Sequence, residues 1–172
     1  MGTRTIDGTL EAVWLKRRRA GAAVYDRMQF RLADGRAVTV GKSVVGAAVA
    51  DRLVPGTSGR FYLYEAIDHK GLHGVRDASG GAVYAFPTVN ETAMAVVASL
   101  NLAWLAASVA LADKVPLLPL FVTLIAVPGY FLYRATRMAA RRQFENDAGY
   151  QAAAADSAAA AGTAAAGDAV HA

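Results

Sequence analysis

Polar and apolar positions alternate in short runs from Gly8 to Phe86, then give way to two unbroken apolar stretches, Ala93 to Ala112 and Val115 to Tyr133. The first regime has the two-residue period of strands; the second has the length of membrane helices. Neither stretch contains Asp, Glu, Lys or Arg. At about 1.5 Å rise per residue, some twenty helical residues match the roughly 30 Å hydrocarbon layer of a bilayer. The pattern predicts an α+β membrane protein in three parts. These are a small β domain over residues 1–88, a transmembrane helical hairpin with a basic extension over 89–147, and a disordered Ala-rich tail over 148–172.

Within the β domain, the segment Val24 to Leu32 puts Val24, Met28, Phe30 and Leu32 on one face, with Asp26 as the intruder. Tyr25, Arg27, Gln29 and Arg31 take the other, outward face. Ala33-Asp34-Gly35 supplies turn chemistry before Arg36 to Val40, so a hairpin is expected, with Leu10 to Lys16 as the strand before it. Ser43 to Leu53 lacks alternation, starts on a good helix cap and is closed by Pro55-Gly56, which predicts one short helix. Strands resume at Arg60 to Ile67, Leu72 to Asp77 and Ala82 to Phe86. Phe61, Tyr62 and Tyr64 make the first of these aromatic on both faces, the mark of a central strand. The order β-β-β-α-β-β resembles the OB-fold, a small Greek-key barrel with a helix between its third and fourth strands. That resemblance implies a closed barrel whose first inter-strand loop borders a ligand face.

The two apolar stretches are separated by Asp113 and Lys114 alone, so the helices must turn back at once and lie antiparallel. Arg134, Arg137, Arg141 and Arg142 crowd the exit of the second, and the positive-inside rule then places both termini on the cytoplasmic side of an inner membrane. The amino terminus carries no signal-peptide pattern, which agrees with a cytoplasmic β domain. Thr88 and Glu91 have the spacing of a capping box at the start of the first helix. Ala95, Ser99, Ala103 and Ala107 recur every four residues as a stripe for close helix packing, to which Asn101 would add an interhelical hydrogen bond. The neighbour is the second helix or another copy of the chain. Pro128-Gly129 is expected to bend the second helix.

Charge and composition narrow the function. The chain has no cysteine, so disulfides and thiolate chemistry are excluded. Residues 1–88 hold 13 Lys and Arg against 8 Asp and Glu, so the basic character belongs to the β domain. Its densest run, Lys16-Arg17-Arg18-Arg19, is placed in the loop after the first strand, and outward Tyr25, Arg27 and Arg31 would extend it into a stripe for anionic surfaces. A solvated loop, lipid headgroups, single-stranded nucleic acid and a protein partner are the competing readings. His69 and His73, four apart in a segment with Gly71 and Gly74, read as a solvent-facing turn and strand. On a strand they would stand about 13 Å apart, too far to share a metal ion. No nucleophile elbow, phosphate loop or paired carboxylate is present, so neither a cofactor nor a catalytic residue is expected. The expected role is a membrane-tethered interaction or scaffold module, with nucleic-acid binding through the basic run or a small oligomeric channel as alternatives.

Overall fold

The structure, a computed structural model, describes residues 2–112 and 115–150. Asp113 and Lys114, read above as the inter-helix turn, and 151–172, read as most of the disordered tail, lie outside the described residues. The chain divides into two compact units. One combines Met1–Phe86 with the segment from Ala140 onward; the other is Pro87–Ala139.

The first unit is a closed five-stranded barrel. Its strands are β1 (Gly2–Arg19), β2 (Ala22–Leu32), β4 (Ser43–Gly46), β6 (Lys70–Asp77) and β5 (Ser58–Glu65), and β5 pairs back onto β1. All ring pairs are antiparallel except β4 with β6. Outside the ring, β3 (Ala37–Val40) pairs with β2 and β7 (Ala82–Tyr84) with β6. Closure depends on the 18-residue β1, whose first half pairs with β5 and whose second half pairs with β2. Gly8 stands where the two ladders overlap, opposite both Leu32 and Gly59. A Cβ there would come within 2.2 Å of the Arg31 carbonyl oxygen, so the crossing demands a residue without a side chain. The interior is filled by Leu10, Met28, Phe30, Val45, Phe61 and Leu72, all fully buried, with the Phe30 and Phe61 rings 4.8 Å apart. Each such side chain contributes roughly 1.5–3 kcal/mol by leaving water.

Two sequence expectations about this unit are corrected. Ser43 to Leu53 is not one capped helix: Ser43–Gly46 is the strand β4, and the helix α1 is confined to Ala47–Ala50. Ser43 is buried and its Oγ donates to the Gly41 carbonyl at 2.6 Å instead of capping a helix. The segment lacks alternation because β4 lies between β2 and β6 in the ring with most of its residues buried. Second, Tyr25 points into the core, along with Ala23, Met28 and Phe30. The ladder between β1 and β2 passes over Glu11, Lys16 and Asp26, leaving each as an extra residue. The bulge at Asp26 reverses the facing of everything before it, so a uniform two-residue period puts Tyr25 on the wrong side.

The second unit consists of helix α2 (Val89–Ala112) and helix α3 (Leu117–Asn146) up to Ala139. Both are long and apolar enough to cross a membrane. The Thr88 carbonyl accepts the first bond of α2 from Thr92, as an N-cap does. The Glu91 carboxylate, however, is taken by Arg137 (Nε to Oε2 2.7 Å, Nη2 to Oε1 2.9 Å), joining the start of α2 to the later turns of α3. Pro116 and Pro119 flank the start of α3, where missing amides cost least, and α3 runs as one helix through Pro128.

Candidate functional site

The basic run Lys16–Arg19 lies on strand, not in a loop, since β1 continues through Arg19 and the hairpin turns at Ala20-Gly21. Gly21 takes a positive φ of 84° there. From Val13 to Arg19, β1 pairs only with β2, whose Ala22–Tyr25 pairs on its far side with β4, so among the described residues the outer edge of β1 is open here. Register pairs Trp14 with Arg27, Leu15 with Tyr25, Arg17 with Val24, Arg18 with Ala23 and Arg19 with Ala22. Because Tyr25 and Ala23 face the core, Arg18 shares their side, while Trp14, Arg17, Arg19 and Arg27 take the opposite, outer face.

The carboxylates sort these cations further. Lys16 Nζ donates to Asp26 Oδ1 at 3.2 Å, so two bulge residues pair with each other. Arg18 donates to Asp51 at the end of α1. Arg31 is engaged by Glu11 and by the Gly35 carbonyl. Arg27 stacks on Trp14, its guanidinium carbon 4.1 Å from the ring centroid. Arg17 and Arg19 make no ion pair among the described residues. The residues named from sequence thus fall into three groups: Tyr25 in the core, Lys16, Arg18 and Arg31 neutralised, and Arg17, Arg19 and Arg27 with free charge. Burial pushes the Tyr25 hydroxyl pKa up, against the opposing charge of Arg18.

A second constellation was not anticipated. The outer face of β5 and β6 carries Tyr62, Tyr64 and His73, all buried although they point away from the barrel core. They are covered by Tyr84 and Phe86 and by Phe144 from the last turns of α3. Phe144 meets Tyr62 edge-on at 5.0 Å and Tyr84 at 5.5 Å. Gly74 makes room for it, since a Cβ there would lie 2.5 Å from the Phe144 ring. Polar contacts complete this clasp. Arg76 stacks on Phe144 and donates to its carbonyl at 2.9 Å, Tyr62 donates to Asp147, and Arg60 bridges Asp7 and Asp147 beneath the Tyr150 ring. Burial opposes ionisation of Asp147, yet the bonds from Tyr62 and Arg60 hold its carboxyl below the ordinary range. The available sequence signal was Phe144 and Tyr150 standing as isolated aromatics in a polar stretch that follows the apolar run.

His73 corrects the solvent-facing reading of its segment. It is fully buried among the Tyr62, Tyr64, Tyr84 and Phe86 rings, at centroid distances of 5.8–6.4 Å. Neither ring nitrogen has a hydrogen-bond partner of normal geometry, and burial lowers its pKa to about 4, so the imidazole is neutral near pH 7. His69 instead sits in the turn, its Nδ1 2.6 Å from Asp68 Oδ1. Among the described residues no group of three metal-capable side chains is assembled. A cavity of about 360 Å³ opens at one end of the barrel, with Leu63, Val40 and Tyr64 in its lining and Arg4, Glu65 and Lys70 among its polar groups.

In the helical unit, the four-residue stripe is mostly exposed rather than packed on α3. Ser99, Ala103 and Ala107 are exposed and Ala95 is half-buried. The less exposed positions are Glu91, Met94, Ala98, Asn101, Leu105 and Ser108, spaced three and four apart. On α3 the matching buried positions are Pro119, Ala126 and Tyr133, seven apart. A strict i,i+4 stripe drifts by about 40° per step around a helix, whereas a seam averaging 3.5 residues keeps facing a neighbour. Asn101 donates to Val97 O of its own helix at 2.8 Å and supplies no interhelical bond through that group. Of the arginines named for topology, Arg134 donates to Tyr130 and Arg137 is held by Glu91. Arg141 pairs with Glu145 one turn on, while Arg142 is exposed.

No family model matches this chain, and no curated protein or solved structure matches it either.

Proposed function

We propose that this protein is a membrane-anchored interaction module, in which α2 and α3 cross an inner membrane as an antiparallel hairpin and present the barrel to a protein partner in the cytoplasm. The observation that carries the reading is the exposure of apolar side chains on both helices. Only 6% of the most apolar window of α2 and 17% of that of α3 is buried. Leu100, Trp104, Leu111, Phe121 and Ile125 all face outward. Left in water, each would forgo roughly 1.5–3 kcal/mol, and lipid covers all of them at once. Arg134, Arg137, Arg141 and Arg142 near the end of α3 support cytoplasmic termini.

The barrel is of the OB type in this reading. Support comes from the ring order β1-β2-β4-β6-β5, from α1 between β4 and β5, the third and fourth ring strands in chain order, and from the single parallel pair, β4 with β6. No catalytic role is assigned to it. Alkaline extraction of membranes from expressing cells tests the anchor. The chain should remain in the pellet, with reporters at either terminus active only inside the cell. Recovery in the supernatant, or a reporter active outside, overturns the topology. Turnover of a small molecule by the purified, solitary protein would overturn the interaction role.

A further inference from the structure

The sheet at the end of the β1–β2 hairpin has two chemically different faces. On the core side and at the bulges, Arg18 and Lys16 are neutralised by Asp51 and Asp26. On the outer face, Arg17, Arg19 and Arg27 keep their charge, and Arg27 lies flat on Trp14. Trp14, on the same face, is 40% exposed. Cations alone at a strand edge are explained by protection against edge-to-edge pairing. An exposed tryptophan among them is not, because it invites the association that protection avoids.

We infer that this outer face docks on the phosphate headgroups of an anionic bilayer, with Arg17, Arg19 and Arg27 holding phosphates and Trp14 seated at the headgroup boundary. The inference rests on the membrane-anchor reading above. Guanidinium groups are weakly hydrated and present a planar fork that matches phosphate oxygens bidentately. Tryptophan favours the headgroup layer, and basic side chains are drawn to anionic lipid over about a Debye length. Lipid is favoured over single-stranded nucleic acid because strand binders align successive aromatics for stacked bases. Here one indole is available, and Arg27 already occupies one of its faces.

The test uses the full chain in lipid nanodiscs. Trp14 and Trp104 are the only tryptophans, so Trp104→Phe leaves Trp14 as the sole indole reporter. In discs containing phosphatidylglycerol, its emission should shift to the blue and resist aqueous quenchers, reversibly with high salt; in pure phosphatidylcholine it should not. Arg17→Gln and Arg19→Gln should each weaken this response about fivefold. Removing whole ion pairs, Lys16→Gln with Asp26→Asn and Arg18→Gln with Asp51→Asn, should leave it near the parent level, because the two charges of each pair cancel. Losses from these charge-neutral changes as large as those from Arg17→Gln and Arg19→Gln would overturn the site. An indole indifferent to lipid charge in an incorporated chain refutes the docking alone, whereas a chain that stays outside the discs refutes the anchor and the docking with it. An oligonucleotide that competes the blue shift away at physiological salt would reassign the face to nucleic acid.

Discussion

The barrel and the helical pair handle large apolar side chains in opposite ways. The barrel hides Phe30, Phe61 and Leu72 completely and turns charge outward. The helices expose Leu100, Leu111 and Ile125, the last by 71%, and bury Ala98, Ala126, Thr136 and the Glu91 carboxylate. One unit is built for water around a greasy interior; the other is built around small and polar contacts with a greasy exterior. Apolar burial drives assembly only where the alternative is water. If the helices lie in lipid, as proposed, their surroundings are as apolar as any core, and close packing and the Arg137–Glu91 pair would hold them together.

The comparison breaks most sharply at Phe61. Phe61→Ala should cost about 3–5 kcal/mol and unfold the barrel at low denaturant, because the cavity left behind cannot collapse within a closed ring. A loss under 1 kcal/mol in a denaturant melt would mean that the interior is not close-packed. On the helices the same logic runs in reverse. Ile125→Lys should disfavour membrane insertion by roughly 2.5–3.5 kcal/mol, whereas a lysine on a water-facing helix is nearly neutral. An insertion assay giving no change would place α3 in water.

His73 sharpens the contrast within the barrel unit, since its clasp is a second, outer apolar layer. The folded form holds the imidazole at about 4, below the ordinary 6.5. The unfolded chain therefore takes up a proton between those values while the folded chain does not. Stability that is complete above pH 6.5 falls as the pH drops toward 4, by about 3 kcal/mol in all. Melts at pH 7 and 4.5 should show this decline, and His73→Phe should flatten it; equal slopes in both proteins would show that the cage does not shield the ring. The smallest effects lie on α2. Ala98→Leu on the buried seam should destabilise helix pairing by about 1–3 kcal/mol through overpacking, while Ala103→Leu on the exposed stripe should change it by less than 0.5. Dimerisation assays or thermal melts in detergent that reverse this order would reinstate the four-residue stripe.

Elements with a strong local signature were legible in the residue pattern. The apolar runs became α2 and α3, the turn at Ala33–Gly35 joins β2 to β3, and the aromatic segment around Tyr62 became a strand buried on both faces. Misreadings arose where one residue changes the phase or where distant segments meet. Asp26 reverses the facing of Tyr25 without leaving a mark in composition. Val44 and Val45 are strand residues only because β2 and β6 are present to pair with them. The candidate site was half visible: the cluster of cations could be counted, but which of them remain free depends on Asp26 and Asp51.

By itself the sequence determined hydrophobic lengths, strand-forming and helix-forming stretches, turns and the location of excess charge, because each of these is set by residues within a few positions of one another. Tertiary structure alone decided ring closure, the bulged register, the pairing of Lys16 and Arg18, and the docking of Phe144 on Tyr62 and Tyr84. Those outcomes join residues from a few positions apart, near the hairpin turn, to more than eighty apart. Their energies come from geometry that exists only once the strands have closed.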